Sequence, residues 1–221
     1  MKQIAEYLIT IPAVLLVIMF HELAHGVAAY KLGDPTAKRM GRLSLNPLKH
    51  LDPIGALCMV LFKFGWARPV PVDMRYFRNP KRDMAITALA GPLANLLCAF
   101  LAVPLFFWIE KGYFSVIFSA GPESFQAGLV LTLFQFVYLF HVVSLGLCLF
   151  NLIPLPPLDG SRILFAFLPS RYYYSLMRYE RMISLALMLF LLTGANFGFL
   201  QLISSRISYA MQSLWLLLPI F

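Results

Sequence analysis

Tyr7-Leu8-Ile9-Thr10-Ile11-Pro12-Ala13-Val14-Leu15-Leu16-Val17-Ile18-Met19-Phe20 is an apolar run that leads directly into His21-Glu22-Leu23-Ala24-His25 and closes at Val27-Ala28-Ala29-Tyr30. Residues 7–20 alone are too few to cross a hydrocarbon core of ~30 Å, which takes ~20 helical residues. Extension through Tyr30 reaches the required length, and it takes two histidines and a glutamate to membrane depth. Ionisable groups are costly there, so they mark a functional site.

The rest of the chain agrees with that environment. Of its 221 residues, 60% are hydrophobic and only 13% are charged, the balance of a polytopic membrane protein. Lipid leaves backbone polar groups no partner but one another, so the expected class is all-α. Four spans are expected, at about 4–30, 84–109, 126–153 and 182–203, within a single membrane-embedded domain covering residues 1–221. Residues 204–221 read as an interfacial tail or a partial extra span. Neither a cleavable signal peptide nor an appended soluble domain is expected. Cys58, Cys98 and Cys148 lie in apolar surroundings and read as packing residues rather than disulfide partners.

A formal charge of +8 raises the question of nucleic acid, but its distribution answers it. The connections between the first and second spans and between the third and fourth hold 15 of the 18 basic residues. The positive-inside bias puts both connections in the cytoplasm and the N-terminus outside. A basic face against anionic lipid accounts for the charge without nucleic acid.

His21 and His25 are four apart and so share one face of a helix, where both imidazoles can reach one ion. Glu22 lies about 100° round the helix from His21, placed to reach a metal-bound water without binding the metal. This is the pattern of zinc hydrolases, in which zinc acidifies a water and a carboxylate takes its proton. A hydrolytic zinc site usually has three protein ligands, so one is missing. Asp159 and Glu180 are the candidates on the cytoplasmic side. Asp159 has the stronger context, because it ends Asn151-Leu152-Ile153-Pro154-Leu155-Pro156-Pro157-Leu158-Asp159-Gly160 just past the third span. The prolines stop the helix and allow an extended return into a protein-lined cavity. The alternative is that Asp159 merely caps a short helix.

These residues resemble the site-2 proteases, intramembrane zinc metalloproteases that cut membrane-anchored proteins. The resemblance rests on His21–His25, on Asn151–Gly160, and on Gly91-Pro92-Leu93-Ala94-Asn95 in the span between. It implies His21, His25 and Asp159 as ligands of one zinc ion per chain, and Glu22 as general base. Asn151 would be a catalytic residue near the scissile bond. Asn95 reads better as a packing residue. Ile54–Val72, broken by Gly55, Gly65, Pro69 and Pro71, would form a partly extended re-entrant segment after the first span. Gly41–Pro47, Gly65–Val72 and Phe77–Asp83 resemble a compact prokaryotic branch without peptide-binding or nucleotide-sensing domains. The implied setting is a prokaryotic cell membrane with the active site towards the cytoplasm, and a membrane-anchored substrate as partner. The rivals are a zinc peptidase using Glu180, a non-catalytic metal scaffold and a metal transporter. His50 and Asp52 read as interfacial structure rather than a second metal site.

Overall fold

Helix α1 (Lys2–Lys31) takes the apolar run through the histidine motif without a break. The computed structural model describes residues 2–62, 66–169, 178–193 and 198–217. A loop-rich stretch follows α1, containing α2 (Thr36–Arg39), a 3-10 turn at Pro47–His50, α3 (Pro53–Phe62) and a second 3-10 turn at Met74–Tyr76. Two long helices come next, α4 (Pro80–Ala120) and α5 (Phe125–Asn151), then α6 (Asp159–Phe167), α7 (Glu180–Leu192) and α8 (Gly198–Leu216). Among the described residues the only β pairing is an isolated antiparallel bridge between Leu51 and Ala67. The protein is an all-α integral membrane protein, and Tyr7–Lys31, Pro80–Ala120 and Phe125–Asn151 are long and apolar enough to cross a bilayer.

Helix α4 lies at the centre, packed against α1, α5, α6 and α8. Its buried residues Ala88, Gly91, Asn95, Ala99 and Ala102 recur every three or four positions. Small side chains in such a row let helix backbones approach closely, which is how helices associate where the hydrophobic effect is weak. Further along, Val103, Phe106 and Ile109 meet Val137 and Leu145 of α5 and Met211 of α8. Polar contacts tie the same elements together. His141 Nδ1–H donates to the Ala99 carbonyl at 2.8 Å, and its Nε2 lies 2.8 Å from Ser208 Oγ on α8. Trp215 Nε1–H donates to the Phe100 carbonyl at 3.1 Å. His141 is therefore a satisfied helix-packing residue.

Several element boundaries differ from those expected. The stretch from Ile54 does not start extended: Pro53–Phe62 is helical, with Asp52 Oδ1 accepting the Gly55 N–H at 2.8 Å. Asp followed by Pro is a helix start, and that local signal outweighs the glycine at position 55. The extended part is shorter, running from Trp66 towards Asp73, and its Arg68 N–H donates to the His50 carbonyl at 2.9 Å. Gly55 permits this return, since a Cβ there would lie 2.1 Å from the Trp66 carbonyl oxygen.

The second span was expected to end at 109, but α4 continues to Ala120, because no proline or tightly turned glycine intervenes before Gly121 at φ 85°. The expected span 182–203 is divided: α7 ends at Leu192, residues 194–197 lie outside the described residues, and α8 starts at Gly198. The expected boundary at 203/204 falls inside α8. Ser204-Ser205-Arg206 does not end that helix, because Ser208 and Trp215 beyond it bond back to α5 and α4.

Ala99 is fully buried at the α4–α5 crossing, whereas Leu101 is half exposed. Ala99→Leu is expected to destabilise the protein by about 1–3 kcal/mol, and Leu101→Ala by much less. Thermal unfolding of both variants in one detergent checks this.

Candidate metal centre

Three side chains from two distant parts of the chain meet between α1, α4 and α6. His21 Nε2 and His25 Nε2 are 3.0 Å apart, and Asp159 Oδ2 lies 3.1 Å from the first and 3.2 Å from the second. Among the described residues this is the only group of three or more His, Cys, Asp or Glu side chains close enough to hold an ion. Both histidines are buried, and Asp159 Oδ2 is buried with no hydrogen bond of its own. A tetrahedral zinc ion with bonds of ~2.0–2.1 Å spaces its donor atoms by about 3.3 Å, so the triangle fits that ion. Burial alone would raise the Asp159 carboxyl pKa, but the two adjacent imidazoles outweigh it and bring it to about 2.

The neighbouring helix is shaped around this triangle. Thr87, Gly91 and Asn95 follow one another at four-residue spacing and form a stripe on one face of α4. The Thr87 carbonyl accepts from His25 Nδ1–H at 2.7 Å, and the Asn95 amide lies 3.0 Å from His21 Nδ1. Between them, a Cβ on Gly91 would stand 2.4 Å from His25 Nε2 and 2.7 Å from His21 Cε1. Only glycine leaves room for both rings. On the third side, Asp159 opens α6 and does not serve as its cap: Leu158 occupies the cap position, and the Asp159 carboxylate turns to the histidines. Gly160 allows this turn, because a Cβ there would lie 2.3 Å from the Leu152 carbonyl oxygen.

Glu22 stands beside the triangle without joining it. Its Oε2 accepts the Val70 N–H at 2.7 Å, from the extended stretch after α3. That stretch is clamped in turn by Arg42, a buried guanidinium whose Nη2 donates to the Arg68 carbonyl and, at 3.3 Å, to the Pro69 carbonyl. Burial lowers the Arg42 pKa, the Arg68 charge lowers it further, and Glu22 opposes the shift. Asp34, fully buried, secures the loops on either side by accepting from Thr36 N–H at 2.9 Å and Asp73 N–H at 2.7 Å.

A cavity of about 390 Å³ opens onto His21 and Glu22, lined also by Trp66, Ala67, Asn151 and, from α7, Ser184 and Met188. Asn151 is the last residue of α5, and its Nδ2 donates to the Leu147 carbonyl at 3.1 Å. Glu180 is not part of the triangle: its Oε1 lies 3.5 Å from Arg162 Nη2.

A model of Peptidase family M50 matches residues 9–194, which includes the whole triangle and the cavity. The chain belongs to Peptidase family M50. This is the site-2 protease family that its motifs resemble, and a zinc cofactor goes with it. The chain is 46% identical over 144 residues to "Putative zinc metalloprotease YwhC" of Bacillus subtilis, an alignment covering 65% of this chain and 62% of that protein. It is 27% identical over 164 residues to "Putative zinc metalloprotease Rip2" of Mycolicibacterium smegmatis, covering 72% and 57%. A third relative, "Putative zinc metalloprotease MJ0611" of Methanocaldococcus jannaschii, is 29% identical over 162 residues, covering 73% and 71%. The matched part therefore spans less than two thirds of the first two relatives. No solved structure matches the chain.

Within this M50 chain, the structure brings together all of the residues expected at the site: His21, His25 and Asp159 as a triangle, with Glu22 and Asn151 on the shared cavity. It adds residues that spacing alone did not bring forward. Asn95, expected as a packing residue, is buried but also meets a ring nitrogen of His21. Gly91 makes room, and the Val70 amide holds Glu22. His50 and Asp52 stay structural: His50 Nε2 lies 2.9 Å from the Ser44 carbonyl oxygen, and Asp52 caps α3. Cys58, Cys98 and Cys148 are free, as expected.

Gly91→Ala puts a methyl group where the imidazoles stand. The expected result is a fall in zinc affinity of about tenfold or more. Chelator competition on the purified variant reads this directly.

Proposed function

We propose that this chain is an intramembrane zinc metalloprotease, hydrolysing peptide bonds in or near the membrane-spanning segment of anchored protein substrates. The observation that carries the reading is the convergence of His21 Nε2, His25 Nε2 and Asp159 Oδ2, with Glu22 outside the triangle but on the same cavity. In this reading His21, His25 and Asp159 hold the zinc ion. The bound ion supplies Lewis acidity for the hydrolytic step.

Glu22 is the general base. Val70 N–H fixes its Oε2, while Oε1 accepts no hydrogen bond among the described residues and is left to take a proton. The proton comes from the attacking water and passes to the amine as the C–N bond breaks. Asn151 has one N–H committed to the Leu147 carbonyl and a second available, so its amide suits the substrate carbonyl as negative charge develops there. The cavity is walled largely by apolar side chains, among them Ile18, Leu147, Phe150, Leu187 and Leu191, which suits an unwound apolar peptide. Trp66 and Ala67 bring extended backbone to its rim, where a substrate strand can pair. The charge bias favours a cytoplasmic mouth, and a prokaryotic cell membrane is the setting that the family resemblance implies.

A metal scaffold or transporter would use the same ligands. Against it stands Glu22, a carboxylate held by a dedicated backbone amide beside the ligands and not among them. A store or a carrier has no use for that placement.

Glu22→Gln is expected to retain one zinc per chain and to lose cleavage by about 10²–10⁴-fold, since only the base is removed. Metal analysis and cleavage of a reconstituted membrane-anchored substrate test it together; parental cleavage by this variant contradicts the mechanism. Asp159→Asn is expected to lose zinc and Glu180→Gln to keep it. The reverse pattern in metal analysis contradicts the ligand set.

A further inference from the structure

Asn95 is fully buried on α4, with its amide 3.0 Å from His21 Nδ1. We propose that Asn95 is a positioning residue of the metal centre: its side-chain oxygen accepts a hydrogen bond from His21 Nδ1–H, fixing the tautomer that presents an unprotonated Nε2 to the ion. The inference rests on the zinc reading of the triangle given above.

Each imidazole must keep its proton on the nitrogen that faces away from the ion. A neutral imidazole has one N–H, and the nitrogen that binds a metal must be the other one. For His25 the choice is forced, because the Thr87 carbonyl can only accept; Nδ1 carries the proton and Nε2 is free. For His21 the free nitrogen must again be Nε2, the atom facing His25 and Asp159. Its Nδ1 therefore donates, and the group opposite must accept.

An asparagine amide can accept or donate, according to which end it turns to the ring, and only the partners distinguish the two ends. With nitrogen towards the ring, Nδ1 would accept, the proton would move to Nε2, and the site would be closed to a cation. With oxygen towards the ring, the site is open. As placed, the amide nitrogen faces His21 Nδ1 and the buried oxygen has no donor among the described residues; turning the amide puts the nitrogen at that far end instead, so the orientation is decided at the ring, where the metal-binding tautomer needs an acceptor. Thr87 and Asn95 flank Gly91 on one stripe of α4, so a single helix face sets both tautomers and clears space for both rings.

Two substitutions, read against the stability of the metal-free protein, separate this role from packing. Asn95→Asp keeps an acceptor and removes the amide donor, giving the carboxylate–histidine pairing common behind zinc ligands; Asn95→Leu keeps the branched shape with more bulk and removes both polar groups. The full chain is purified in detergent, zinc affinity is measured by chelator competition at one pH, and thermal unfolding of the metal-free protein is followed in parallel. The expected result is affinity within about threefold of the parent for Asn95→Asp and about 10–100-fold weaker for Asn95→Leu, a loss larger than the lowered metal-free stability of the bulkier variant accounts for. The cobalt-substituted spectrum should follow the same order, near the parent for Asp and altered for Leu.

Parental affinity in Asn95→Leu, or equal loss in both variants, overturns the inference. Should Asn95→Leu fail to fold, Asn95→Asp decides alone when followed up to alkaline pH, where its carboxyl is ionised and can only accept: retained affinity supports an acceptor and lost affinity rules it out. The parent and His21→Ala serve as controls. A parent that binds no zinc defeats the zinc reading itself, whereas His21-dependent binding that ignores Asn95 defeats only this inference.

Discussion

The missing side chain at Gly91 is the constraint on which the centre depends. Helices α1 and α4 must approach closely enough for the Thr87 carbonyl and the Asn95 amide to reach the outer nitrogens of two histidines. Any Cβ at position 91 would occupy the volume of the rings themselves. The small residues at 88, 99 and 102 extend the same close approach along α4. Membrane helices gain little from excluding water between them, so tight contact and interhelical hydrogen bonds have to hold them. Here the residues that pack the helices also meet the two histidines of the triangle.

A second network holds the carboxylates. Asp159 is delivered by a chain reversal in which Gly160 slips under the carbonyls of Leu152 and Ile153. Glu22 is steered from the other side, by a buried arginine that grips an extended stretch whose next amide reaches the carboxylate. The two carboxylates are thus held by separate devices. One is brought against the imidazoles and the other is kept from them, the arrangement that the proposed roles of ligand and base call for.

Much of this was legible in the sequence, for identifiable reasons. Two histidines four apart need only the helical repeat to share a face, and α1 is an unbroken helix through them. The charge distribution put the ends of the first and third spans on the same side, and Asp159 does meet His21 and His25. What could not be read depends on neighbours rather than on local pattern. That Asn95 faces His21, or that the Val70 amide faces Glu22, follows from how α1, α4 and the loop pack. The spacing Thr87, Gly91, Asn95 was available as a signal, but a stripe of small and polar residues reads first as helix packing. The start of α3 had its signal in Asp52-Pro53, which the glycines and prolines further on obscured. The serine-rich stretch at 204–206 looked like a break because its partners on α5 and α4 are remote in sequence.

A single cation is expected where α1, α4 and α6 converge. Zinc-edge anomalous diffraction from crystals of the full chain in lipid addresses it without reference to activity. One strong peak is expected within bonding distance of His21 Nε2, His25 Nε2 and Asp159 Oδ2, with the Glu22 carboxylate outside the bonding shell. A peak elsewhere, or one bound by both histidines with Asp159 turned away, would contradict it.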